Sequence, residues 1–396
     1  MTAGPRRVAV IGAGLVGGSV ALAARAAGVP HVTLTDSDPA VLARAAALGL
    51  AHAVTDSIAA AVHDADLVVA AVPTHAVPSV LAEAAGSAPH WAILTDVASL
   101  KYNLIMKVES TLREVGRSSQ LFVGGHPMAG SEQSGPEAAD EQLFQAATWV
   151  LTPTPTTADD ALRTLSTFLR RLGARVLVLS PARHDELVAV VSHLPQVVAS
   201  ALADVAADAV ESSGEAVLAV AGGGFRDTTR IAASDPDLWL GILRGNHTAV
   251  LDALDRYRVR LDELRDALAG DDQVRLAAIL TRASAARRRL VPKAVGVELV
   301  DLVVPLADRP GAIAAATTVL GEAGVNVEDL AMRHAVEGER GALVMRIAAD
   351  ATSRAITALA ADGIHAHADL DTPSTPDTPS APETSTSPDV DTSTDS

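Results

Sequence analysis

The chain has 396 residues, carries a formal net charge of −17 and contains no cysteine. Its length allows two or three domains with separate cores. The missing cysteines exclude disulfides and thiolate catalysis, and we expect no metal site. The acidic balance argues against nucleic acid and anionic membrane as partners. No run of about 18 uncharged apolar residues suggests a membrane span, and the expected location is the cytoplasm.

The first part of the chain, over residues 1–180, alternates strand-like and helix-like segments. The strand-like runs are RRVAVIGAG, HVTLTDSDP, ADLVVAAVP, WAILTDVAS, LFVGGHP, ATWVLTP and ARVLVLSP. Hydrophobic residues make up 48% of the chain but aromatic residues only 2%, which suits close-packed helices on a parallel sheet. The alternation predicts an α/β domain with a Rossmann-type, doubly wound parallel sheet.

A glycine-rich turn between the first strand and the first helix predicts a dinucleotide site. The turn and the start of the helix comprise Gly12, Ala13, Gly14, Leu15, Val16 and Gly17. Gly12 makes the tight turn, Gly14 lets the backbone reach a pyrophosphate, and Gly17 allows close helix packing. Asp36 follows the second strand, where a carboxylate binds ribose hydroxyls and repels a 2′-phosphate, so NAD is favoured over NADP. Asp38 fits the role of a turn residue before a helix.

Beyond residue 180 the pattern of predicted secondary structure changes twice. Residues 181–292 consist of helical blocks. Their apolar faces predict burial against another helix or a second subunit, and hence an all-helical dimerisation domain. Residues 295–370 follow the order strand, helix, strand, strand, helix, strand, which is the ferredoxin-like β-α-β-β-α-β unit. Residues 371–396 are acidic and rich in proline, serine and threonine, and this tail is predicted to be disordered.

Two polar segments follow neighbouring strands of the predicted sheet. Asp96, Ser99 and Lys101 come after one strand, and GGHPMAG, which contains His126, ends the next. Both segments open on the carboxyl edge of the sheet, where ligands bind. Glycines beside His126 allow a ligand to approach the backbone, although an ordinary turn is the alternative, as a helix N-cap is for Ser99. Imidazole, with a pKa of about 6.5, can take a hydroxyl proton while hydride leaves the same carbon.

Five segments resemble the motifs of prephenate dehydrogenases, in the same order. They are GAGLVGGS, DVASLK, GGHPMAGSEQSG, VSHLPQ and FRDTTRIAASDPDLW. The resemblance covers roughly residues 6–292. The region 295–370, with DRPG in its first loop, is similar to an ACT domain, which some members of the family carry at the C-terminus.

The resemblance implies NAD-dependent oxidative decarboxylation of prephenate to 4-hydroxyphenylpyruvate, on the route to tyrosine. His126 would bind the ring hydroxyl and take its proton as hydride passes to NAD, and Ser99 would hold that hydroxyl and orient the imidazole. Arg230 matches the family's arginine for a substrate carboxylate, a role that suits its bidentate fork. His193 and Trp239 match residues of the substrate pocket, and for each a structural role in the core is the alternative.

One position departs from the family pattern and leaves the substrate open. Several members read SHLPH where this chain reads SHLPQ, so Gln196 replaces a histidine. Glutamine can hydrogen-bond the substrate but supplies no positive charge, and relatives that oxidise arogenate accommodate an ammonium group in place of a keto group. Prephenate is the expected substrate, and arogenate, which gives tyrosine directly, is the alternative. His184 and Asp185 are expected at the edge of the pocket.

The ACT-like region contains three residues in loops of the kind that bind amino acids between paired domains. These residues are Asp308, Gly311 and Asn326. We therefore expect a homodimer that is feedback-regulated by tyrosine. The alternative is that Asp-Arg-Pro-Gly is an ordinary turn in a domain that serves dimerisation only.

Two other functions fit parts of the sequence. A β-hydroxyacid dehydrogenase would share the layout of a Rossmann domain followed by helices, but its site needs a lysine of the helical region, and the nearest candidate, Lys101, lies in the first domain. A dinucleotide-sensing ACT regulator without catalysis would not need Ser99, His126 and Arg230 together. No segment resembles a DNA-reading element.

Overall fold

The computed structural model describes residues 4–130, 133–290, 299–307, 310–334 and 340–369. The chain divides into two compact units, Met1–Asp266 and Ala267–Ser396. The first unit contains the glycine-rich turn, the polar segments and most of the helical blocks. The predicted disordered tail lies outside the described residues.

The first unit is built on an eight-stranded sheet. Its strands are β1 (Arg7–Ile11), β2 (His31–Thr35), β3 (Ala53–Thr55), β4 (Leu67–Ala70), β5 (Ile93–Asp96), β6 (Phe122–Pro127), β7 (Thr148–Thr152) and β8 (Arg175–Val178). Their order in the sheet is β3-β2-β1-β4-β5-β6-β7-β8. The first six are parallel, and their order is that of dinucleotide-binding sheets. The predicted Rossmann-type sheet is confirmed for this part.

The last two strands correct the prediction of a wholly parallel sheet. β7 pairs antiparallel with β6, and β8 runs parallel to β7. A parallel neighbour requires a crossover connection, usually a helix, whereas an antiparallel strand needs only a loop. In the described part of the connection from β6 to β7, the helical structure is one short 3₁₀ turn, Pro136–Ala138, so the chain turns back and β7 runs in the opposite direction.

Helices cover both faces of the sheet. They are α1 (Leu15–Ala26), α2 (Pro39–Ala47), α3 (Ile58–Val62), α4 (Val77–Ser87), α5 (Tyr102–Glu114) and α6 (Asp159–Arg171). Side chains of a strand alternate between its two faces. In β1, Val8 and Val10 therefore enter a core with α1 and α6, while Ala9 and Ile11 enter a second core with α3, α4 and α5. Burial on both faces explains why these strands read as continuous apolar runs.

The chain continues from β8 into the helical region. Its elements are α7 (Pro181–Val188), a π-helical turn (Ala189–His193), α8 (Leu194–Ser213), α9 (Ala216–Ala219), α10 (Gly223–Thr229), a 3₁₀ turn (Arg230–Ala233), α11 (Pro236–Gly245) and α12 (His247–Ala269). α7 begins where Ser180 accepts a hydrogen bond from the amide of Arg183 and Pro181 occupies the first turn, a favourable arrangement for a helix start.

One helical stretch qualifies our expectation about membrane spans. Pro181–Ser213 is long and apolar enough to cross a membrane by length and composition, with a mean hydropathy of 1.5, although only 28% of its most apolar window is buried. Interface helices of water-soluble proteins pass the same test. Because this helix also carries the buried polar side chains of His193 and Gln196, we interpret its apolar face as a protein contact.

The second unit contains a small antiparallel sheet with two helices against it. Its elements are α13 (Gln273–Leu290), β9 (Leu299–Ala307), α14 (Ala312–Glu322), β10 (Val327–His334), β11 (Arg340–Ala348), α15 (Thr352–Ala361) and β12 (His367–Asp369). The strand order is β10-β11-β9-β12, and every pair is antiparallel. Leu302 of β9 packs with Leu320 of α14 and Leu359 of α15. From β9 onward this is the predicted β-α-β-β-α-β order, and the likeness to an ACT domain stays a prediction.

Candidate active site

The glycine-rich turn has one open position and two crowded ones. Gly12 has φ +103°, and a Cβ there would lie 2.2 Å from the carbonyl oxygen of Ala71; a Cβ on Gly17 would lie 1.9 Å from that of Gly12. Only glycine fits at these two positions. Gly14, by contrast, would meet nothing within 4 Å. It is the N-cap of α1 and supplies no side-chain cap, so the first amides of the helix are left for an anionic group.

Asp36 lies directly against this turn. Its Oδ2 accepts a hydrogen bond from the amide of Ala13 at 2.7 Å, and its Oδ1 accepts one from the amide of Asp38 at 2.9 Å. Each carboxylate oxygen can accept a further hydrogen bond, as a ribose site requires. Asp38 instead caps α2 by accepting from the amide of Ala40 at 2.8 Å, which is the turn role predicted for it. Leu15 and Val16 are half-buried at the start of α1.

His126 lies inside β6 rather than in a loop, and the glycines before it have a structural reason. A Cβ on Gly125 would lie 2.6 Å from the carbonyl oxygen of Asp96, and a Cβ on Gly124 would lie 2.6 Å from Oγ1 of Thr152. The two glycines thus allow β6 to lie between its neighbours. The interpretation that they serve ligand approach stays a prediction. His126 itself is half-buried at the carboxyl end of the strand.

A hydrogen-bonded chain of three side chains runs from His126 into the helical region. Nδ1 of His126 lies 2.8 Å from Nε2 of His184, and Nδ1 of His184 lies 2.8 Å from Oδ1 of Asp185. The two imidazole rings meet edge to face, with centroids 5.1 Å apart. His184 and Asp185 are both buried. They were expected at the edge of a pocket, but they contact His126 directly or through one residue.

Asp185 also caps the helix that follows β5. Its Oδ1 accepts from the amide of Lys101 at 2.9 Å, and its Oδ2 accepts from the amide of Tyr102 at 2.8 Å. α5 begins at Tyr102, with Lys101 as N-cap and no cap from its own side chain. Ser99 is therefore not the N-cap, and the alternative considered for it is wrong. One carboxylate of α7 satisfies two amides at the start of α5, where a negative charge is favoured by the helix dipole.

Asp96 and Lys101 form an ion pair next to these hydrogen-bonded side chains, since the amide of Lys101 donates to Asp185. The ammonium of Lys101 donates to Oδ1 of Asp96, and both side chains are fully buried. Oδ1 of Asp96 also accepts from the amide of Ala98 at 2.8 Å. Burial lowers the pKa of Lys101, while the carboxylates of Asp96 and Asp185 raise it. A lysine so enclosed cannot reach a substrate, so the observation gives no support to a lysine-based dehydrogenase site.

The surroundings of His126 keep its imidazole neutral. Burial lowers the pKa of His126 well below its usual value of 6.5, and the charge of Lys101 lowers it further. A neutral imidazole at pH 7 has a lone pair that can accept a proton. His126 thus has the protonation state that a general base requires.

His193 and Trp239 are brought together on the other side of Asp185. Nδ1 of His193 lies 3.2 Å from Nδ2 of Asn246, which also donates to the backbone carbonyl of Asp185 at 2.8 Å. The ring of Trp239 meets His193 edge to face, at 6.0 Å between centroids. Burial and His184 lower the pKa of His193 to about 4, against an opposing effect of Asp185. His193 is therefore neutral and hydrogen-bonded.

Gln196 lies on the same buried face of the helix as His193. It is 5% exposed, and within the described residues its Oε1 atom is buried without a hydrogen-bond partner. Leaving a buried acceptor unpaired costs about 1–3 kcal/mol. The amide therefore has capacity for one more donor.

Ser99 and Arg230 are two further residues predicted for this site. Ser99 is half-buried in the loop between β5 and α5, and within the described residues no hydrogen bond joins it to His126. Arg230 is exposed at the start of the 3₁₀ turn that packs against α8. In the second unit, Gly311 is the N-cap of α14 with φ +84°, and the side-chain amide of Asn326 donates to Oε1 of Glu328 at 2.6 Å. Asp308 lies outside the described residues.

The chain matches two family models: the nucleotide-binding domain of prephenate dehydrogenase over residues 20–178 and its dimerization domain over residues 180–282. Cyclohexadienyl dehydrogenase of Zymomonas mobilis is 36% identical over 269 residues, which are 67% of this chain and 90% of that protein. Prephenate dehydrogenase of Bacillus subtilis is 33% identical over 348 residues, 87% of this chain and 92% of that protein. The chain belongs to the prephenate dehydrogenase family.

A solved structure of this family agrees in fold. It is a prephenate dehydrogenase from A. aeolicus in complex with hydroxyphenyl propionate and NAD+, with a TM-score of 0.67 and 30% identity. The match covers 73% of this chain and 100% of the other. The helical region beyond β8 is therefore the dimerization domain of a prephenate dehydrogenase family member, and the sheet before it is the nucleotide-binding domain.

Proposed function

We propose that this protein is an NAD-dependent prephenate dehydrogenase, which converts prephenate to 4-hydroxyphenylpyruvate by oxidative decarboxylation. The observation that carries the proposal is the half-buried imidazole of His126 at the carboxyl end of β6, whose pKa is lowered by its surroundings. It lies in a nucleotide-binding sheet of the family, at the edge where ligands bind. Family membership supports the substrate class.

The residues around the glycine turn fit NAD. The open position at Gly14 and the uncapped start of α1 suit a pyrophosphate, and Asp36 suits the ribose hydroxyls while disfavouring a 2′-phosphate. When bound, NAD supplies the acceptor for the hydride. We assign Gly12, Gly14, Leu15, Val16, Gly17 and Asp36 to this site.

The chain's own part in the reaction is to bind the ring and move one proton. His126 accepts the proton of the ring hydroxyl while the carbon that bears this hydroxyl loses its hydride. The ring carboxylate then leaves as CO2, and its electron pair completes an aromatic ring, while the ring oxygen takes a proton back from His126 to give the phenol. Formation of the aromatic ring makes the step effectively irreversible. We assign Ser99 to holding the hydroxyl and His193, Gln196 and Trp239 to the pocket.

Arg230 is proposed to bind a substrate carboxylate. Its turn packs against α8, the helix that carries Gln196. The variant Arg230→Ala should raise KM for prephenate about 10- to 100-fold with a smaller change in kcat, because a charge-assisted hydrogen bond contributes about 1.5–3 kcal/mol. Arg226→Ala is the matched control, since Arg226 lies in α10 and donates to the carbonyl of Ala221. Equal KM values in the two variants would exclude this role.

The choice between prephenate and arogenate depends on Gln196. An amide offers an acceptor to an ammonium group and a donor to a keto group, so this residue is compatible with both substrates. The unpaired Oε1 atom keeps arogenate as the alternative substrate. Prephenate remains the proposed substrate because it is the one named for the family.

The deciding experiment is a substrate panel. The full chain is mixed with prephenate or arogenate and with NAD or NADP, and the absorbance of the reduced nicotinamide is followed. Turnover with prephenate and NAD is expected. An absence of turnover with every pair would contradict the proposed function, and turnover with arogenate alone would replace the substrate.

We propose that the protein is a cytoplasmic homodimer with domain boundaries at residues 1–180, 181–292 and 295–370. Apolar side chains of the helical region support a subunit contact: Val191, Val205, Leu238 and Leu240 are each more than half exposed. A dimer would cover such faces.

Feedback by tyrosine through the second unit is a further part of the proposal. The left-handed Gly311 and the exposed Asn326 lie in loops of the β-α-β-β-α-β unit. Tyrosine is expected to lower the turnover of the intact protein and to raise its Tm, and Asn326→Ala should weaken both effects without changing uninhibited kcat. If tyrosine alters neither quantity and calorimetry detects no binding, this regulation does not exist.

A further inference from the structure

We infer that Asp185 is a positioning residue that fixes, through His184, the tautomer in which His126 leaves Nε2 free to accept a proton. The inference rests on the proposed function for its effect on turnover. The hydrogen bonds that carry it are independent of that function, because they lie within the protein.

The direction of each hydrogen bond follows from Asp185. An ionised carboxylate only accepts, so Nδ1 of His184, at 2.8 Å from Oδ1 of Asp185, must carry hydrogen. When His184 carries this one proton, its other nitrogen is an acceptor. Nε2 of His184 lies 2.8 Å from Nδ1 of His126, so Nδ1 of His126 must donate. The remaining nitrogen, Nε2 of His126, then holds a lone pair.

The opposite order of protons is disfavoured by the same distances. If His184 carried its hydrogen on Nε2, its bare Nδ1 would face the carboxylate of Asp185 at 2.8 Å, with two lone pairs in contact. Nδ1 of His126 would become an acceptor, and its Nε2 would carry hydrogen. That form of His126 could donate to a hydroxyl but could not take its proton.

The carboxylate itself is held in one place. The amides of Lys101 and Tyr102 donate to its two oxygens. α5 has 13 residues, and the partial positive charge at its start favours an anion. The backbone carbonyl of Asp185 accepts from Asn246 at 2.8 Å. Asp185 therefore connects the helical region to the loop after β5, and the direction of the His126 hydrogen bond depends on that connection.

The first test is the variant Asp185→Asn. The side chain introduced there has one acceptor and one donor in place of two acceptors, so it cannot accept from His184 and from the amides of Lys101 and Tyr102 together, and it no longer fixes one tautomer of His184. In serine-protease triads the equivalent change lowers kcat about 10⁴-fold. We expect kcat to fall at least about 10²-fold with KM much less affected. Glu186→Gln is the matched control, since it removes the same charge one residue away, at an exposed site paired with Arg183. Unchanged kcat in Asp185→Asn would overturn the inference.

Two variants at His184 distinguish a positioning role from a role in folding. Both keep the hydrogen bonds from the amides of Lys101 and Tyr102 to Asp185. In His184→Gln the amide can donate to Asp185 and accept from Nδ1 of His126, whereas His184→Leu can do neither. We expect the glutamine variant to keep at least about tenfold more kcat than the leucine variant. Equal losses, with equal Tm values, would mean that His184 only fills space.

A readout without turnover completes the test. Nitrogen-15 NMR of the full chain labelled at histidine should show hydrogen on Nδ1 of His126 in the wild type and a larger share on Nε2 in Asp185→Asn. Hydrogen on Nε2 of His126 in the wild type would overturn the inference, even if Asp185→Asn fails to fold. The proposed function fails differently: the wild type would then not oxidise prephenate, whatever the tautomer.

Discussion

The substitution His126→Asn is expected to lower kcat for prephenate about 10²–10⁴-fold, the usual contribution of one general base. Asparagine can still hydrogen-bond a ring hydroxyl but cannot take its proton. Binding of NAD should be unchanged, because the glycine turn and Asp36 lie at the carboxyl ends of β1 and β2 and make no contact that depends on this imidazole. The measurements are steady-state kinetics with prephenate and fluorescence titration with NAD.

The matched control for this variant is His90→Asn. His90 is exposed and precedes β5, at the opposite edge of the sheet from His126. It should keep wild-type kcat. Turnover of His126→Asn within a few-fold of this control would mean that proton removal takes place elsewhere, and the proposed site would be wrong.

The second large effect is expected for Lys101→Met. Removing the ammonium leaves Asp96 as a buried charge without its partner, which typically costs about 3–5 kcal/mol of unfolding free energy. The pKa of His126 should also rise, because the charge of Lys101 is one of the causes that lower it. A general base is active when unprotonated, so kcat falls as pH drops through this pKa. The acid limb of the pH profile should therefore move toward neutral pH.

Two further variants control this result. Lys107→Met removes an exposed lysine of the same helix and should change stability by less than about 0.5 kcal/mol. The double variant Lys101→Met/Asp96→Asn should recover much of the lost stability, because no unpaired charge remains. Urea denaturation measures both. A single Lys101→Met variant as stable as Lys107→Met, with an unmoved acid limb, would show that the ion pair has neither role.

Features encoded by local patterns were predictable from the sequence. The strand within RRVAVIGAG, the glycine turn after it and the helix cap by Asp38 all depend on neighbours within a few residues, and each was predicted and observed. The six parallel strands follow from alternating apolar runs and helices. The positions of His126 and His193 came from motifs whose spacing resembles a family.

Features that depend on distant contacts were not predictable in this way. Asp185 caps a helix that begins 83 residues before it in the chain, and no pattern around either residue indicates the other. Asn246 was missed because a single asparagine between two helices reads as a helix boundary. The predicted direction of β7 was wrong, because a strand has the same sequence pattern whether it runs parallel or antiparallel to its neighbour. Only the connection between the two strands determines the direction.

The π-helical turn Ala189–His193 lies between α7 and α8 and sets how their side chains are oriented about the common axis. Such a turn adds one residue to the helical cycle, and one residue corresponds to a rotation of about 100°. Asp185 lies before the insertion, while His193 and Gln196 lie after it. Deleting a single residue here would rotate His193, Gln196 and the apolar side chains of α8 about the helix axis relative to Asp185. The insertion thus sets the angle about the helix axis between Asp185 and the pair His193 and Gln196.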